Sequence, residues 1–411
     1  AGTDTQFGNS TNSIGKVNIA DGNSLTLGNV AYIDNPELKD NSSLTLGTDS
    51  AIIGNVYGTG TVNIDREYQT TSETSDLANN IYNTNFGNST TSLNSLVLSS
   101  TLTLNNNAYI DNLSLNDSLS VLAISSNGGV IGSIYGSTGT VNLSRNYNTS
   151  NTMDSNYYNT SFGTSTNSIG TLNIGDSASG YNLTLGNIAY VDNLVLDNSN
   201  SSLTLNSNSA VVGTIYGSGI LNINTDYSTT DIDTVSGNDT KIGSSSSSKI
   251  ATVNVGQNSA DYGLTPEIIA TLNLNNDAYV ETMNISNNSV LNINSSGSID
   301  GTVIGSKDNQ GIININKSYN TGTSNTIFGL EGNRIKQINI TNNEFTLSNS
   351  AYVNNFNITS NEAYTNTKRL FTMENNSAFT GSITLNKRDN DMLIGIALDE
   401  NYMLELADLL S

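Results

Sequence analysis

The sequence predicts an all-β chain, a right-handed parallel β-helix of about five cassettes of ~80 residues, on three observations. A four-part cassette recurs five times in constant order, apolar residues fall in X-polar-X triplets of period two, and matching triplets stand 18 to 20 residues apart. Helical repeats would show 3.6-residue spacing and helix formers. This chain is instead rich in Val, Ile, Thr, Asn and Gly. A propeller would need hairpin-linked blades of about 40–50 residues, and no Asn-Gly hairpin set repeats.

The first part of the cassette reads FGNSTNSIGKVNI at 7–19, FGNSTTSLNSLVL at 86–98, FGTSTNSIGTLNI at 162–174, IGSSSSSKIATVNV at 242–255 and FGLEGNRIKQINI at 328–340. The second is VAYIDN at 30–35, NAYIDN at 107–112, IAYVDN at 188–193, DAYVET at 277–282 and SAYVNN at 350–355, with its Tyr at 32, 109, 190, 279 and 352. A short strand such as SLTL at 43–46 or 202–205 is the third. The fourth is GNVYGTGTVNI at 54–64, GSIYGSTGTVNL at 132–143, GTIYGSGILNI at 213–223 and the variant GTVIGSKDNQGIINI at 301–315. The cassettes lie near 7–85, 86–161, 162–241, 242–327 and 328–386.

Even coils of ~20 residues would place about four in a cassette and roughly 20 in the chain, a rod of about 90–100 Å at ~4.8 Å per coil. A lone coil cannot stand, because about six inward side chains at ~1.5–3 kcal/mol each oppose ~1–2 kcal/mol of backbone entropy per residue. Asn suits such a fold, since it tolerates left-handed corners and stacks amide on amide from coil to coil.

The two ends are expected to differ from the middle. The repeat is under way by Phe7, which leaves the first coil an exposed template for strand pairing unless a neighbour covers it; either the sequence is cut from a longer chain or the rods join end to end. Residues 387–411 read as a C-terminal strand and helix that form a cap or docking tail. The apolar run Met392–Leu398 precedes Asp399, an N-cap candidate, and Met403, Leu404, Ala407 and Leu410 share one helical face.

Composition excludes several chemistries. With no His and no Cys there is no Ser-His-Asp triad, thiol nucleophile or common zinc site, and any enzyme must run on carboxylates, Lys or Tyr. A formal charge of −22 disfavours nucleic acid and anionic membrane surfaces. No apolar stretch reaches 18 residues, so the chain is not expected to be membrane-embedded. Absence of Cys fits an exported bacterial surface protein, and an extracellular location is expected; no leading signal-like segment occurs, so any export signal has been removed or lies outside this sequence.

Candidate sites are few. Asp34, Asp111 and Asp192 occupy one repeat position, which Glu281 and Asn354 fill in the last two cassettes; they read as coil corners rather than as the paired carboxylates of a glycosidase. Asp231 with Asp233, and Asp389 with Asp391, are loose candidates for calcium, the one cofactor considered, although no nonapeptide or EF-hand loop pattern occurs. The adjacent basic pairs Lys368-Arg369 and Lys387-Arg388 suit either solvent or the acidic flank of a neighbouring subunit; residues 1–240 hold 20 acidic and 4 basic residues. The recurring Tyr of the second and fourth parts form either corner plugs or an adhesive stripe toward glycans or protein. Phe7, Met403, Leu404 and Leu410 join the basic pairs as interface candidates.

The segments FGNSTNSIGKVNI, FGTSTNSIGTLNI and GTGTVNI resemble the repeat region of rickettsial surface antigens of the outer-membrane-protein A and B type. That resemblance spans most of 7–386 and implies an autotransported passenger displayed outside the cell as an adhesin or surface layer. The expected function is accordingly non-enzymatic: a cell-surface structural and adhesive solenoid that assembles with itself end to end into a filament or layer. The alternative is a monomeric passenger adhesin that binds host or neighbouring-cell receptors or glycans, and a carbohydrate-active β-helix enzyme is the third reading.

Overall fold

A computed structural model describes residues 5–149, 158–229, 240–258, 267–294, 296–341, 343–360, 369–374, 377–387 and 395–398. The chain is almost all β and forms long parallel sheets, as a β-solenoid requires. Its contacts fall into two compact units, one running to Leu203 and including Asn208–Thr214, the other holding Thr204–Ser207 and the chain from Ile215 on.

In the first unit the triplets stack on one another as the period-two pattern dictates. Ser24–Leu27 pairs with Ser43–Leu46, which pairs with Ala51–Ile64, which pairs with Leu93–Leu98. Leu25, Leu44, Val62 and Leu96 thereby form one inward column, by steps of 19, 18 and 34 residues. A second column runs Tyr68, Leu102, Leu122, Val141 and Leu172. Three register steps therefore carry the chain almost through one cassette, where even coils of ~20 residues would need about four, and one further strand completes it, so that Leu96 and its counterpart Leu172 fall in different columns. The cause is an excursion after the fourth-part strand, which lengthens every third step without adding a rung. Along each strand buried and half-buried residues alternate, and the inward Leu44, Leu46, Val62, Ile64, Leu96 and Leu98 are fully covered. At ~1.5–3 kcal/mol per buried aliphatic side chain, these columns are the main source of cohesion.

The second unit repeats the scheme with more aromatic filling. Leu272, Leu291, Ile313, Ile338, Phe356 and Ile383 form one column. Tyr319, Phe345, Phe371 and Ile396 form another. Phe345 and Phe371 stack at 5.5 Å between ring centroids, and Phe356 meets Phe371 edge-on at 5.2 Å. The strand Gly395–Leu398, within the stretch expected to form the tail, pairs in parallel with Arg369–Met373. There Gly395-Ile396-Ala397-Leu398 continues the repeat as Gly311–Ile315 does one cassette earlier. The helix expected after Asp399 lies outside the described residues.

One backbone position shows why the cassette keeps its glycine. Gly54 has φ +144°, and a Cβ there would lie 1.8 Å from the Ile33 carbonyl oxygen; at Gly132, φ +137°, the corresponding distance to Ile110 is 1.7 Å. Only a residue without a side chain lets the coils close at this corner. Glycine recurs there at 213, 301 and 381, so the fifth cassette carries the fourth part too, as Gly381-Ser382-Ile383.

Outward Asn side chains build the expected ladders, most fully in the second unit. Nδ2 of Asn292 donates to Oδ1 of Asn273 (2.7 Å), Asn314 to Asn292 (2.7 Å), Asn339 to Asn314 (2.7 Å) and Asn357 to Asn339 (3.0 Å). Among the described residues no helix is long and apolar enough to cross a membrane.

Candidate functional site

In four cassettes the long step begins with Tyr-x-Thr and returns to the sheet at Thr-x-Phe-Gly or Thr-x-Ile-Gly. What closes its base is a buried polar clamp. In the first cassette Tyr68 lies in the core and its Oη accepts from the Ile52 amide at 3.2 Å. Tyr68 Oη is 2.7 Å from Thr84 Oγ1, which donates in turn to the Ile52 carbonyl. Thr70 Oγ1 donates to Asn106 Oδ1, while Asn106 Nδ2 donates to the Thr84 carbonyl (2.9 Å) and to Asn85 Oδ1 (2.9 Å). Each hydroxyl of this buried cluster is thus satisfied.

The same residues recur in three further cassettes. Tyr147 meets Thr160 at 2.7 Å and the Val130 amide at 3.0 Å, with Asn187 bonded to Thr149 (3.0 Å) and to the Thr160 carbonyl (2.8 Å). Tyr227 meets Thr240 at 2.9 Å, and Asn276 Nδ2 donates to the carbonyls of Thr229 (3.1 Å) and Thr240 (2.9 Å). Tyr319 meets Thr326 at 2.7 Å, and Asn349 Nδ2 donates to the carbonyls of Thr321 (3.0 Å) and Thr326 (3.1 Å). Burial pushes the Tyr68 and Tyr147 phenols well above their ordinary ionisation range and raises that of Tyr319, against the lowering effect of these hydrogen bonds.

On this constant base the intervening segments differ in length and chemistry. They are 71–83, 150–159, 230–239 and 322–325 in sequence, of which 150–157 and 230–239 lie outside the described residues. The first contains a short 3-10 turn, Leu77–Asn79, closed by Asn80 at φ 58°, and leaves Leu77 45% exposed. Arg66 holds it by donating to Asn80 Oδ1 (2.6 Å) and packing over the Tyr82 ring at 5.6 Å. Arg145 covers Tyr158 in the same way at 5.4 Å, and Tyr158 stacks on Tyr147 at 4.6 Å. The fourth is a single helical turn, Thr321–Ser324, capped by Asn320, whose side chain accepts from the amides of Gly322 and Thr323.

The expected site residues are dispersed. Asp34, Asp111, Asp192, Glu281 and Asn354 are all exposed. They sit where the parallel register skips, as between Tyr109 and Asn112, which is a coil corner. Asp34 and Asp111 lie on different corner columns, the first beside Ile14 and Lys16 and the second beside Leu93 and Ser95, so the register does not bring them into the ~5–10 Å of a glycosidase pair. Tyr32, Tyr109, Tyr190, Tyr279 and Tyr352, and Tyr57, Tyr135 and Tyr216 of the fourth part, are half-buried on the outer faces. Phe7 is half-buried, and its carbonyl accepts from the Tyr32 amide at 2.7 Å. Arg369 and Lys387 sit at the ends of the strands Arg369–Met373 and Phe379–Lys387. Asp231, Asp233, Asp389, Asp391, Lys368, Arg388, Met403, Leu404 and Leu410 lie outside the described residues. Among the described residues no group of three or more acidic side chains is placed to hold a metal ion.

Ion pairing is local. Glu37 lies between Lys16 (2.6 Å) and Lys39, whose hydrogen bonds hold its carboxyl below the usual range. Arg334 grips Asp308 through Nε (2.8 Å) and Nη2 (2.7 Å), bringing that carboxyl down to about 2. Partial burial raises Asp300, but hydrogen bonds from Lys249 and Asn325 outweigh it and leave the carboxyl lowered.

The clamp is the feature that triplet reading missed. Its signal is a Tyr four residues after the fourth-part strand, at 68, 147, 227 and 319, and an Asn two residues before each Ala-Tyr. Tyr402 stands at the same distance from Leu398. No family model, curated protein or solved structure matches the chain.

Proposed function

We propose that this chain is a non-enzymatic, extracellular structural and adhesive β-solenoid, a scaffold that displays loops of different sequence from one repeated base. The observation that carries this reading is the contrast between the Tyr-Thr-Asn clamp, rebuilt four times, and the loops it closes, which range from 322–325 to 71–83. Loops held by a rigid frame are the usual place for recognition, since they can change without loss of the core. Half-buried outer Tyr residues along the repeat add rigid amphipathic contact surface. In the finer reading of the fold the coils wind right-handed, the hand that parallel crossovers adopt. Display on a bacterial surface is what the resemblance to rickettsial passenger repeats implies.

The test is retention of protein-coated beads on cultured epithelial cells. Beads carrying the unaltered chain should be held, and beads carrying a chain whose 71–83, 150–159 and 230–239 segments are each replaced by Gly-Thr-Ser-Asn should be washed off while its circular dichroism stays unchanged. Equal retention of the two would overturn the assignment of adhesion to the loops.

A further inference from the structure

Three of the clamp tyrosines meet a second aromatic ring, and in two cassettes that ring is another tyrosine. Tyr319 stacks on Phe345 at 6.5 Å between centroids. Tyr68 and Tyr82 lie 4.8 Å apart at 32°, whereas Tyr147 and Tyr158 lie 4.6 Å apart at 9°, a closely stacked pair. The two tyrosine pairs also differ in access. Tyr68 and Tyr82 are both buried; Tyr147 is fully buried but Tyr158 only half-buried.

The second pair has a seat made for it. A Cβ at Gly129 would lie 2.2 Å from Tyr158 Cε1, so the ring fits only because residue 129 has no side chain. Ala51 and Ala210 hold that place in the first and third cassettes, three residues before Gly54 and Gly213, as Gly129 stands three before Gly132. Arg145 packs over Tyr158 at 5.4 Å while its Nη1 donates to the Gly128 carbonyl at 2.6 Å, which holds cation and ring against the coil. Tyr147 is anchored separately, its Oη tied to Thr160 and to the Val130 amide. Two phenols from the two ends of one excursion are thereby fixed ring against ring.

We propose that Tyr147 and Tyr158 are a dityrosine site, a pair that oxidation joins carbon to carbon and that so closes residues 148–157 covalently in a chain with no Cys. The oxidant is hydrogen peroxide acting through a haem peroxidase. The first oxidation falls on half-buried Tyr158 and passes to Tyr147 through the stacked rings; Tyr158 is then oxidised again. Each phenol has by then given up one electron and one proton. The two radicals couple through ring carbons next to the hydroxyl-bearing carbons, and the hydrogens on those carbons move to the phenolic oxygens. The peroxide takes up the two electrons and two protons and leaves as two waters. Rings already held in contact couple with each other in preference to rings of other molecules. The chemistry rests on the stacked pair and not on the display reading.

Peptide mapping tests the site. The chain is treated at high dilution with peroxide and a haem peroxidase, and the monomer fraction is cut before Asp154 by an Asp-specific protease, which separates Tyr147 from Tyr158. Mass spectrometry should find the two peptides joined with the loss of two hydrogens, accompanied by the blue fluorescence of dityrosine. The joined peptide should persist in Tyr157→Phe and vanish in Tyr158→Phe, a variant that keeps the ring and should leave circular dichroism unchanged. Absence of the joined peptide after the peroxide is consumed, or its survival in Tyr158→Phe, would overturn the proposal.

Discussion

At the scale of single residues, the two decisive types are a glycine that must lack a Cβ and a tyrosine that must keep its hydroxyl. Gly132→Ala would press a methyl group into the Ile110 carbonyl from a left-handed backbone, whereas a methyl group added at Gly47 would meet nothing within 4 Å. Chemical unfolding should show Gly132→Ala losing at least ~2–3 kcal/mol and Gly47→Ala staying within ~0.5 kcal/mol. Tyr147→Phe removes the partner of both the Val130 amide and Thr160. The expected loss is ~1–3 kcal/mol, the cost of a buried donor left unmade. Because burial raises the folded phenols, stability is level below the unfolded Tyr range and falls above pH ~10, where the unfolded chain sheds protons that the folded one keeps. Thermal melts between pH 8 and 11 check this, and Tyr147→Phe should flatten the fall.

At the scale of elements, much of the architecture was legible in the sequence. Triplets such as Leu44-Thr45-Leu46 and Val62-Asn63-Ile64 mark strand, face and partner together, and the corner role of Asp34 and Asp111 follows from their place between triplets. The length of the third step was not legible. Spacing alone cannot distinguish a further coil at 66–86 from an excursion, because looping out ten residues more costs only about 1 kcal/mol in closure entropy. The clamp escaped for a related reason: Tyr68 and Thr84 are 16 residues apart and Thr70 and Asn106 are 36 apart, so no local pattern joins them. If the clamp carries the loop, replacing 71–83 by Gly-Thr-Ser-Asn should leave the melting temperature within a few degrees. The Asn ladder should respond differently. Asn314→Ala breaks a bond on each side, to Asn292 and from Asn339, and should cost ~1–2 kcal/mol by denaturant titration, whereas Asn63, with one long contact to Thr45 at 3.4 Å, should tolerate Ala.

At the scale of the whole molecule, charge sets the conditions under which the fold is stable. A chain of −22 repels itself at low ionic strength. Salt shortens the Debye length from ~30 Å at 0.01 M to ~8 Å at 0.15 M, so this repulsion is screened and the melting temperature should rise as salt is added. Acid acts through pairs such as Asp308 with Arg334. This carboxyl is held below its ordinary value of 3.8, to about 2, so the stability it adds is present above pH ~4 and is lost as pH falls through 2. Asp308→Asn should therefore melt below the unaltered chain at pH 7 and together with it at pH 2. Fold and clamp both depend on a long third step in parallel register, and one cross-linking comparison within a single chain tests it. Asn63 lies opposite Val97, while evenly spaced coils of ~20 residues would bring it against Asn83. Efficient disulfide formation in Asn63→Cys/Val97→Cys and none in Asn63→Cys/Asn83→Cys is the predicted result; the reverse would contradict the fold described.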